Sequence, residues 1–334
     1  MSENMNGKPL LKVENLKMYF PITRGIFDKE VGYVKAVDGV SFLIDSGRTF
    51  GLVGESGCGK TTTGKCVLRV YQPTAGQVYF KGIDITTMSK KQISPFRRDI
   101  QLIFQDPFGS LDPRQSVHGI LKEAIVSDKQ RHSSPEIKDR MGELLSAVEL
   151  DVSMSDRYPH EMSGGQRQRL GIARALACDP ELIVCDEPVS ALDVSIQAQI
   201  INLLKRLQEE RGFTYLFIAH DLAVVHHIAD VIAVMYLGRI VEMMDAEEIY
   251  ENPLHPYTRA LLSAVPITDY YVEKKRARII LEGEVPSPIH APSGCPFHPR
   301  CRYVTEECER TMPSLDDVGD GHQVACHNLD KIVD

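Results

Sequence analysis

The feature that most constrains this chain is a glycine-rich stretch at residues 54–62, GESGCGKTT. The apolar residues 50–53 before it predict a buried strand, and residues 63–68 after it can open a helix. A Gly-x-x-x-x-Gly-Lys-Thr pattern between a strand and a helix is typical of a loop that binds nucleoside triphosphate. Glycines let backbone N–H groups approach phosphate oxygens, and the following helix N-terminus adds a field that favours anions. A chance glycine-rich turn would not need this strand and helix.

The polar residues of this loop have distinct chemical uses. The Lys60 ammonium group can reach the β- and γ-phosphates, and the Thr61 hydroxyl can offer an oxygen to Mg²⁺. The loop by itself predicts phosphate binding and does not say what the bound nucleotide is used for. The predicted nucleotide contacts here are Ser56, Gly57, Cys58, Gly59, Lys60, Thr61 and Thr62.

Composition limits the class of protein. With 334 residues, the chain is expected to form one large domain and an appendage. Its net charge of -8 does not indicate a surface for nucleic acid. The N-terminus is too polar for a signal peptide, and residues 215–237, the most apolar region, contain five His and Asp residues. Any membrane role is therefore expected through partner subunits, and the eight cysteines are not expected to form a disulfide framework.

Strands alternate with helices after the glycine-rich loop, which predicts an α/β doubly wound core. A strand over residues 10–16 is expected to end at residues 19–21, YFP, and a second over 34–44 is expected to join it in an antiparallel sheet. The amino-acid composition changes past Pro266, where prolines, charged residues and four cysteines concentrate. We therefore predict domains at 1–265 and 266–334. Further strands are predicted at 77–80, 100–104, 182–187 and 215–219, and helices at 116–127, 135–150 and 196–208.

Five separated motifs occur in the order found in ABC ATPases. Asp186 and Glu187 end an apolar strand, where one acid can serve the metal shell and the next can activate water. About twenty residues earlier, SGGQ at 163–166 resembles the ABC signature motif. Gln105 resembles the glutamine of the Q-loop, residues 190–193 resemble the D-loop, and His220 resembles the switch histidine. Taken alone, Gln105 would more often be an ordinary polar loop residue and His220 an ordinary histidine.

The resemblance extends to one branch of that family. Residues 105–114 (QDPFGSLDPR), 158–161 (YPHE) and 252–262 (NPLHPYTRALL) are similar to segments of ATPase subunits of bacterial and archaeal dipeptide and oligopeptide ABC importers. Nickel and glutathione importers belong to the same family, so those cargoes stay open. The implied fold is a P-loop ABC domain: a RecA-like core with antiparallel β and helical subdomains, the latter at about 106–178. A small C-terminal cysteine-ligated domain follows it.

The resemblance also implies the partners. The chain would be a peripheral protein on the cytoplasmic face of the cell membrane, bound to two integral permease subunits. A second, different ATPase subunit would join it to sandwich two ATP molecules head to tail, and an extracytoplasmic binding protein would deliver peptide. Two other classes are an ABC-type ATPase that acts on DNA or the ribosome and a regulator that hydrolyses nothing. The single phosphate loop and acidic balance disfavour the first, and Glu187 with His220 disfavours the second.

The resemblance assigns the following roles by residue. Glu187 is the expected general base, and His220 is expected to stabilise the transferring phosphate. Thr61 and Gln105 are the expected Mg²⁺ ligands, and Asp186 belongs to the metal shell. Ser163, Gly165 and Gln166 are expected to face the nucleotide held by the other subunit, and either Tyr19 or Phe20 is expected to stack on adenine.

The tail contains a distinctive group of cysteines. Cys295, Cys301, Cys308 and Cys326 have separations of 6, 7 and 18 residues. Four thiolates can hold tetrahedral zinc or an iron–sulfur cluster, but structural zinc sites favour Cys-x₂₋₄-Cys pairs. Some peptide-importer ATPases resemble this tail and carry a [4Fe–4S] cluster, which is the expected cofactor here with a structural role. Zn²⁺ and four unrelated cysteines remain the alternatives.

Overall fold

The structure is a computed structural model that describes residues 9–24, 29–106, 109–127, 133–265 and 278–332. Its strands are β1 (Leu11–Arg24), β2 (Lys29–Ile44), β3 (Thr49–Val53), β4 (Ala75–Phe80), β5 (Ile83–Asp84), β6 (Ile100–Ile103), β7 (Leu182–Asp186), β8 (Thr214–Ala219), β9 (Val231–Tyr236), β10 (Arg239–Asp245), β11 (Asp316–Asp317) and β12 (Gln323–Val324). Its α-helices are α1 (Lys60–Val67), α2 (Lys90–Ile93), α3 (Phe96–Asp99), α4 (Val117–Val126), α5 (Ser134–Ala147), α6 (Gly164–Leu176), α7 (Val194–Arg211), α8 (Leu222–His226), α9 (Pro256–Ala264) and α10 (Glu306–Arg310).

The chain divides into two compact units. The first unit comprises residues 1–43, 50–87 and 219–334, and the second comprises 44–49 and 88–218. The tail from residue 278 therefore belongs to the first unit. The boundary predicted at Pro266 lies in residues 266–277, outside the described residues, so the two predicted domains stay a prediction.

The first unit contains the predicted antiparallel sheet, in the order β2-β1-β4-β5. β1 pairs with β4 from Leu11, opposite Phe80, to Lys17, opposite Ala75. β1 does not end at Tyr19 as predicted but continues to Arg24. Because β4 no longer runs beside β1 past Lys17, the missing N–H of Pro21 is tolerated there as on a sheet edge.

The part of a second sheet that lies in the first unit carries the predicted phosphate loop. Its neighbouring strands there follow the order β11-β12-β10-β9-β3. β3 and β9 are parallel, with Val53 opposite Val234, while β10 is antiparallel to both β9 and β12. The pairing of Glu242 with Val324 joins the tail to this sheet.

The second unit combines three parallel strands with helices. β7 lies between β6 and β8, and all five of its residues are buried, as an apolar run in a parallel sheet predicts. The helices α4, α5 and α6 contact one another within the stretch predicted as a helical subdomain. α5 ends at Ala147 instead of the predicted residue 150 because Glu149 adopts a left-handed φ of 58°, which stops the helix.

No helix among the described residues is both long enough and apolar enough to cross a membrane.

Candidate nucleotide site and cysteine-rich tail

Two glycines of the predicted phosphate loop are required by the close approach of neighbouring backbone. Gly54 has φ 152°, and a Cβ there would lie 2.2 Å from the Met235 carbonyl oxygen. Gly59 has φ 110°, and its Cβ would lie 2.1 Å from the Ala36 carbonyl oxygen. Both conformations strain any residue with a side chain, so this packing fixes the loop between β3 and α1.

Lys60 begins α1 and points back into the loop. Its side chain is buried, and its ammonium group donates to the carbonyl oxygens of Gly54 at 2.7 Å and Glu55 at 3.0 Å. The loop thus curls around the lysine nitrogen. Gly59 precedes α1 and has no side chain with which to cap it, an arrangement in which an anion can take the place of the cap.

Two residues that the sequence did not single out, Tyr257 and Arg300, hold this loop through Glu55. Arg300 donates from both terminal nitrogens to the Glu55 carboxylate, at 2.9 and 3.3 Å. The Glu55 N–H donates to the Tyr257 hydroxyl oxygen at 2.9 Å. Neither partner could be read from local pattern, since Tyr257 and Arg300 lie 202 and 245 residues away in sequence.

The strand register of the second unit brings two predicted site residues together. In the parallel pairing of β6 with β7, Ile103 lies opposite Cys185. Gln105 and Glu187 each follow by two residues, and the Gln105 amide nitrogen donates to the Glu187 carboxylate at 3.0 Å. The predicted Q-loop glutamine and the predicted general base are therefore in direct contact.

The backbone of Glu187 is held in an uncommon conformation. Its φ is 47°, a left-handed value that a residue with a side chain adopts only when its surroundings impose it. Its N–H donates to the Ile218 carbonyl oxygen at 2.9 Å, and its own carbonyl accepts the Ser190 hydroxyl at 3.1 Å. Asp186, one residue earlier, is buried at the end of β7. The two adjacent acids thus have different environments.

The predicted signature motif forms the start of α6. Ser163 caps this helix by accepting the Gln166 N–H at 3.3 Å, while the Gln166 side-chain oxygen accepts the Ser163 N–H at 3.0 Å. A Cβ on Gly165 would lie 2.8 Å from a methyl carbon of Ile196, so glycine permits the close approach of α6 to α7. In this structure Gln166, a predicted nucleotide contact, serves as a helix cap.

Two further predicted motifs lie at helix starts. Asp193, the last residue of the predicted D-loop, caps α7 by accepting the Ile196 N–H at 3.0 Å. The Gln197 amide donates to the carbonyl oxygens of Val189 and Leu192, which secures the D-loop turn. His220, the predicted switch histidine, is an exposed residue directly after β8.

The two candidate adenine-stacking aromatics have different environments in β1. The Tyr19 hydroxyl donates to the Asp38 carboxylate, and burial together with this bond raises the Tyr19 pKa to about 12. Phe20 meets the Tyr71 ring edge-on at 5.4 Å between ring centroids. Both rings remain partly exposed.

The four tail cysteines are neighbours in space. Burial raises the Cys295 pKa to about 11, and the thiols of Cys308, Cys301 and Cys326 act in the same direction. Burial also raises the pKa of both Cys301 and Cys326. All eight cysteines fall within the described residues and are free thiols.

Backbone and side-chain donors point at the cysteine sulfurs. Each of Cys295, Cys301 and Cys326 accepts a backbone N–H from the residue two positions later in the sequence, at 297, 303 and 328. The Asn328 amide also donates to Cys308 at 3.2 Å. Such donors suit sulfur that carries negative charge. No group of three or more His, Cys, Asp or Glu residues in the described part of the chain has the arrangement of a metal site.

The predicted site residues are divided between the two units. The second unit contains Gln105, Ser163, Gly165, Gln166, Asp186 and Glu187. The first unit contains the loop residues 56–62, both candidate aromatics, His220 and the four tail cysteines.

Comparison with known proteins identifies the family. Residues 37–190 match the family described as ABC transporter, and residues 241–308 match the oligopeptide/dipeptide transporter C-terminal region. The chain is 52% identical over 323 residues to the oligopeptide transport ATP-binding protein AppF of Bacillus subtilis, covering 96% of this chain and 98% of that protein. It is 46% identical over 329 residues to the dipeptide transport ATP-binding protein DppF of Haemophilus influenzae, covering 98% and 99%.

A solved structure agrees with this assignment. The dimeric post-hydrolysis structure of the ATP-binding cassette MJ0796, bound to ADP and Pi, has a TM-score of 0.63 and 28% identity, covering 71% of this chain and 98% of that one. The predicted P-loop ATPase fold is thereby confirmed. The chain belongs to the ABC transporter ATPases, in the group of oligopeptide and dipeptide transport ATP-binding proteins.

Proposed function

We propose that this chain hydrolyses ATP to drive the import of dipeptides or oligopeptides across the cytoplasmic membrane. Relatives of about half identical sequence over nearly the whole chain are named as oligopeptide and dipeptide transport proteins. The match at residues 241–308 adds support because it concerns a region specific to such transporters. Nickel or glutathione import would use the same motor with a different cargo.

The observation that carries the proposed chemistry is the contact between Gln105 and Glu187. Glu187 is the general base that takes a proton from the attacking water, and Gln105 holds its carboxylate in place. Lys60 binds phosphate oxygens, after leaving the carbonyl groups that it contacts in this structure. His220 stabilises the transferring phosphate.

Oxygen donors suit the proposed magnesium ion. Thr61 and Gln105 are its proposed ligands, with Asp186 in the surrounding shell, and hydroxyl, amide and carboxylate oxygens are the donors that Mg²⁺ prefers. Bound there, the ion would neutralise charge on the phosphates. The chain's own contribution is to present these oxygens and to keep Glu187 next to Gln105.

Glu187→Gln tests this mechanism in the assembled importer. The amide keeps the size of the side chain and can still bond to Gln105, but it cannot accept the proton from water. We expect ATP binding to persist, a nucleotide-bound dimer to accumulate, and hydrolysis to fall by about 10²-fold or more. The exposed Glu306→Gln in α10 is a matched control and should hydrolyse ATP like wild type. ATPase activity near wild type in Glu187→Gln would refute the assignment.

The proposed assembly contains two permease subunits and a second, different ATPase subunit at the cytoplasmic face. Ser163, Gly165 and Gln166 would face the nucleotide of that partner, which requires Gln166 to leave its present capping role. An extracytoplasmic binding protein would deliver the peptide. We expect the tagged chain to copurify with two integral membrane proteins; copurification with ribosomes or DNA instead would contradict transport.

The isolated chain offers a second test of the assembly. The composite site predicts that it binds ATP but hydrolyses it slowly without its partner. A stable, rapidly hydrolysing dimer of the purified chain at low concentration would contradict the heteromeric arrangement.

We further propose a structural [4Fe–4S] cluster on Cys295, Cys301, Cys308 and Cys326, with zinc as the alternative. The support is the mutual proximity of the four thiols and the N–H donors aimed at their sulfurs. Four thiolates would hold either group, but the separations of 6, 7 and 18 residues lack the Cys-x₂₋₄-Cys pairs that structural zinc sites favour. Metal binding would supply folding energy to a tail with little apolar core.

Anaerobic purification with visible absorption and metal analysis tests the cluster. We expect a brown protein that contains iron, and Cys301→Ser should lose it. The matched control is Cys178→Ser, a cysteine of the second unit that should leave iron unchanged. A colourless protein with one zinc and no iron would refute the cluster.

A further inference from the structure

Glu55 is an unfavourable residue for a loop that binds phosphate. It directly follows Gly54, and its carboxylate carries a negative charge within the loop that receives a polyanion. Left unpaired, this charge would repel the phosphates in a partly desolvated site, where interactions between charges are strong. The loop therefore needs a compensating positive charge in addition to Lys60.

Arg300 supplies that charge from the tail. Both terminal nitrogens of its guanidinium meet the two Glu55 carboxylate oxygens, at 2.9 and 3.3 Å, the two-point geometry that makes such pairs strong. The Arg300 side chain is only 7% exposed and that of Glu55 is 28% exposed, so water screens the pair weakly.

Contacts of the segment between Cys295 and Cys301 hold Arg300 in place. Arg300 ends a short 3₁₀ turn between Cys295 and Cys301, and its N–H donates to the Phe297 carbonyl at 3.0 Å. Phe297 is almost fully buried and packs edge-on against Tyr236, with ring centroids 5.3 Å apart. The guanidinium lies 6.0 Å from the centre of the Tyr236 ring. These contacts fix the direction from which Arg300 reaches the loop.

The same aromatic group reaches the backbone side of Glu55. Phe297 also contacts Tyr257, at 5.5 Å between centroids, and the Tyr257 hydroxyl accepts the Glu55 N–H. The tail thus binds the Glu55 side chain through Arg300, and α9 binds its backbone through Tyr257. Arg300 and Glu55 therefore contact each other directly, although 245 residues separate them in the sequence.

We propose that Arg300 is a positioning residue of the nucleotide site, which neutralises Glu55 and keeps the phosphate loop receptive to ATP. This inference rests on the proposed role of residues 56–62 in phosphate binding. Through Arg300 the tail then contributes to the nucleotide site, whatever its cysteines bind.

A charge-removal cycle tests this proposal on the purified full-length chain. Binding of a fluorescent ATP analogue with Mg²⁺ is measured for wild type, Arg300→Met, Glu55→Gln and the double variant. We expect Arg300→Met to raise the Kd by about fivefold to tenfold, the scale of one lost charge interaction. Glu55→Gln alone should stay within about twofold of wild type, and the double variant should return to the same range, since no carboxylate is left unpaired.

Salt dependence separates electrostatics from structural damage. The weakening in Arg300→Met should shrink as salt rises, because salt partly screens the Glu55 carboxylate, which is 28% exposed. Arg302→Met is the matched control: Arg302 lies in the same tail, bonds to the exposed Tyr303 hydroxyl, and should bind ATP normally. If Arg300→Met does not fold, Arg300→Lys and Arg300→Gln replace it, and only the lysine variant should keep near-normal affinity.

The outcomes distinguish this inference from the proposed function. A wild-type Kd in folded Arg300→Met, or a double variant as weak as Arg300→Met, would overturn the role of Arg300 while leaving the ATPase assignment intact. A wild-type chain that binds no ATP analogue would overturn the nucleotide site and this inference with it.

Discussion

Replacement of Glu242 should most clearly test how the tail is held to the rest of the first unit. Its side chain has no exposed surface. Its carboxylate accepts three hydrogen bonds, from the Leu254 N–H at 2.6 Å, the His255 N–H at 3.1 Å and the His322 Nε2 at 2.9 Å. One buried acid therefore links β10, the segment before α9 and the tail.

Glu242→Gln replaces one of these acceptor oxygens by an NH₂ group. One Glu242 oxygen accepts from Leu254 and His322, and the other accepts from His255, so any orientation of the amide leaves at least one backbone or ring donor facing another donor. A lost hydrogen bond to a charged group costs about 1.5–3 kcal/mol, and a stranded buried donor adds about 1–3 kcal/mol. Together these contributions predict a loss of about 2.5–6 kcal/mol in the free energy of unfolding.

Thermal unfolding measured by circular dichroism checks this magnitude. A loss of this size should lower the melting temperature of the unit by several degrees. The exposed Glu247→Gln, which follows β10, changes the same chemical group and should stay within about 0.5 kcal/mol of wild type. If Glu242→Gln melts together with Glu247→Gln, then the buried carboxylate does not stabilise the fold as argued.

Three further perturbations follow from the structure. Gly59→Ala should weaken binding of a fluorescent ATP analogue and destabilise by about 1–3 kcal/mol, because its Cβ would meet the Ala36 carbonyl at 2.1 Å. Gly142→Ala, in α5 with no described atom within 4 Å of its Cβ, should be neutral or stabilising; equal effects would refute the packing argument. Burial lowers the His255 pKa to about 4, below its unfolded value. The contribution of the buried neutral side chain to folding stability is therefore complete above about pH 6.5 and declines as the pH falls. His255→Asn, which can keep the cap of α9, should lose less stability than wild type in urea unfolding between pH 6.5 and 5; parallel losses would contradict this.

Local patterns predicted much of the fold and of the site. The phosphate loop and the buried strand β7 were each predicted from residue types within one short stretch of sequence. The contact of Gln105 with Glu187 was not predicted, because it depends on the pairing of β6 with β7, two strands that are distant in sequence.

Long-range contacts of the tail could not be predicted in the same way. Glu55 and Arg300 each lie in a recognisable motif, yet nothing in either motif indicates the other. The length of β1 was missed for a different reason, since Pro21 ends a strand only where a partner needs its N–H.

The strand order that ends in β12 and β11 has a consequence for behaviour in solution. Without the tail, β10 would present the unpaired N–H and C=O groups of a seven-residue strand, a template onto which another molecule could add. The tail covers part of that template with β12 and leaves outermost β11, which has two residues, Asp316 and Asp317. A short strand with two exposed carboxylates repels a second copy of itself, so the tail also protects this side of the sheet against edge-to-edge aggregation.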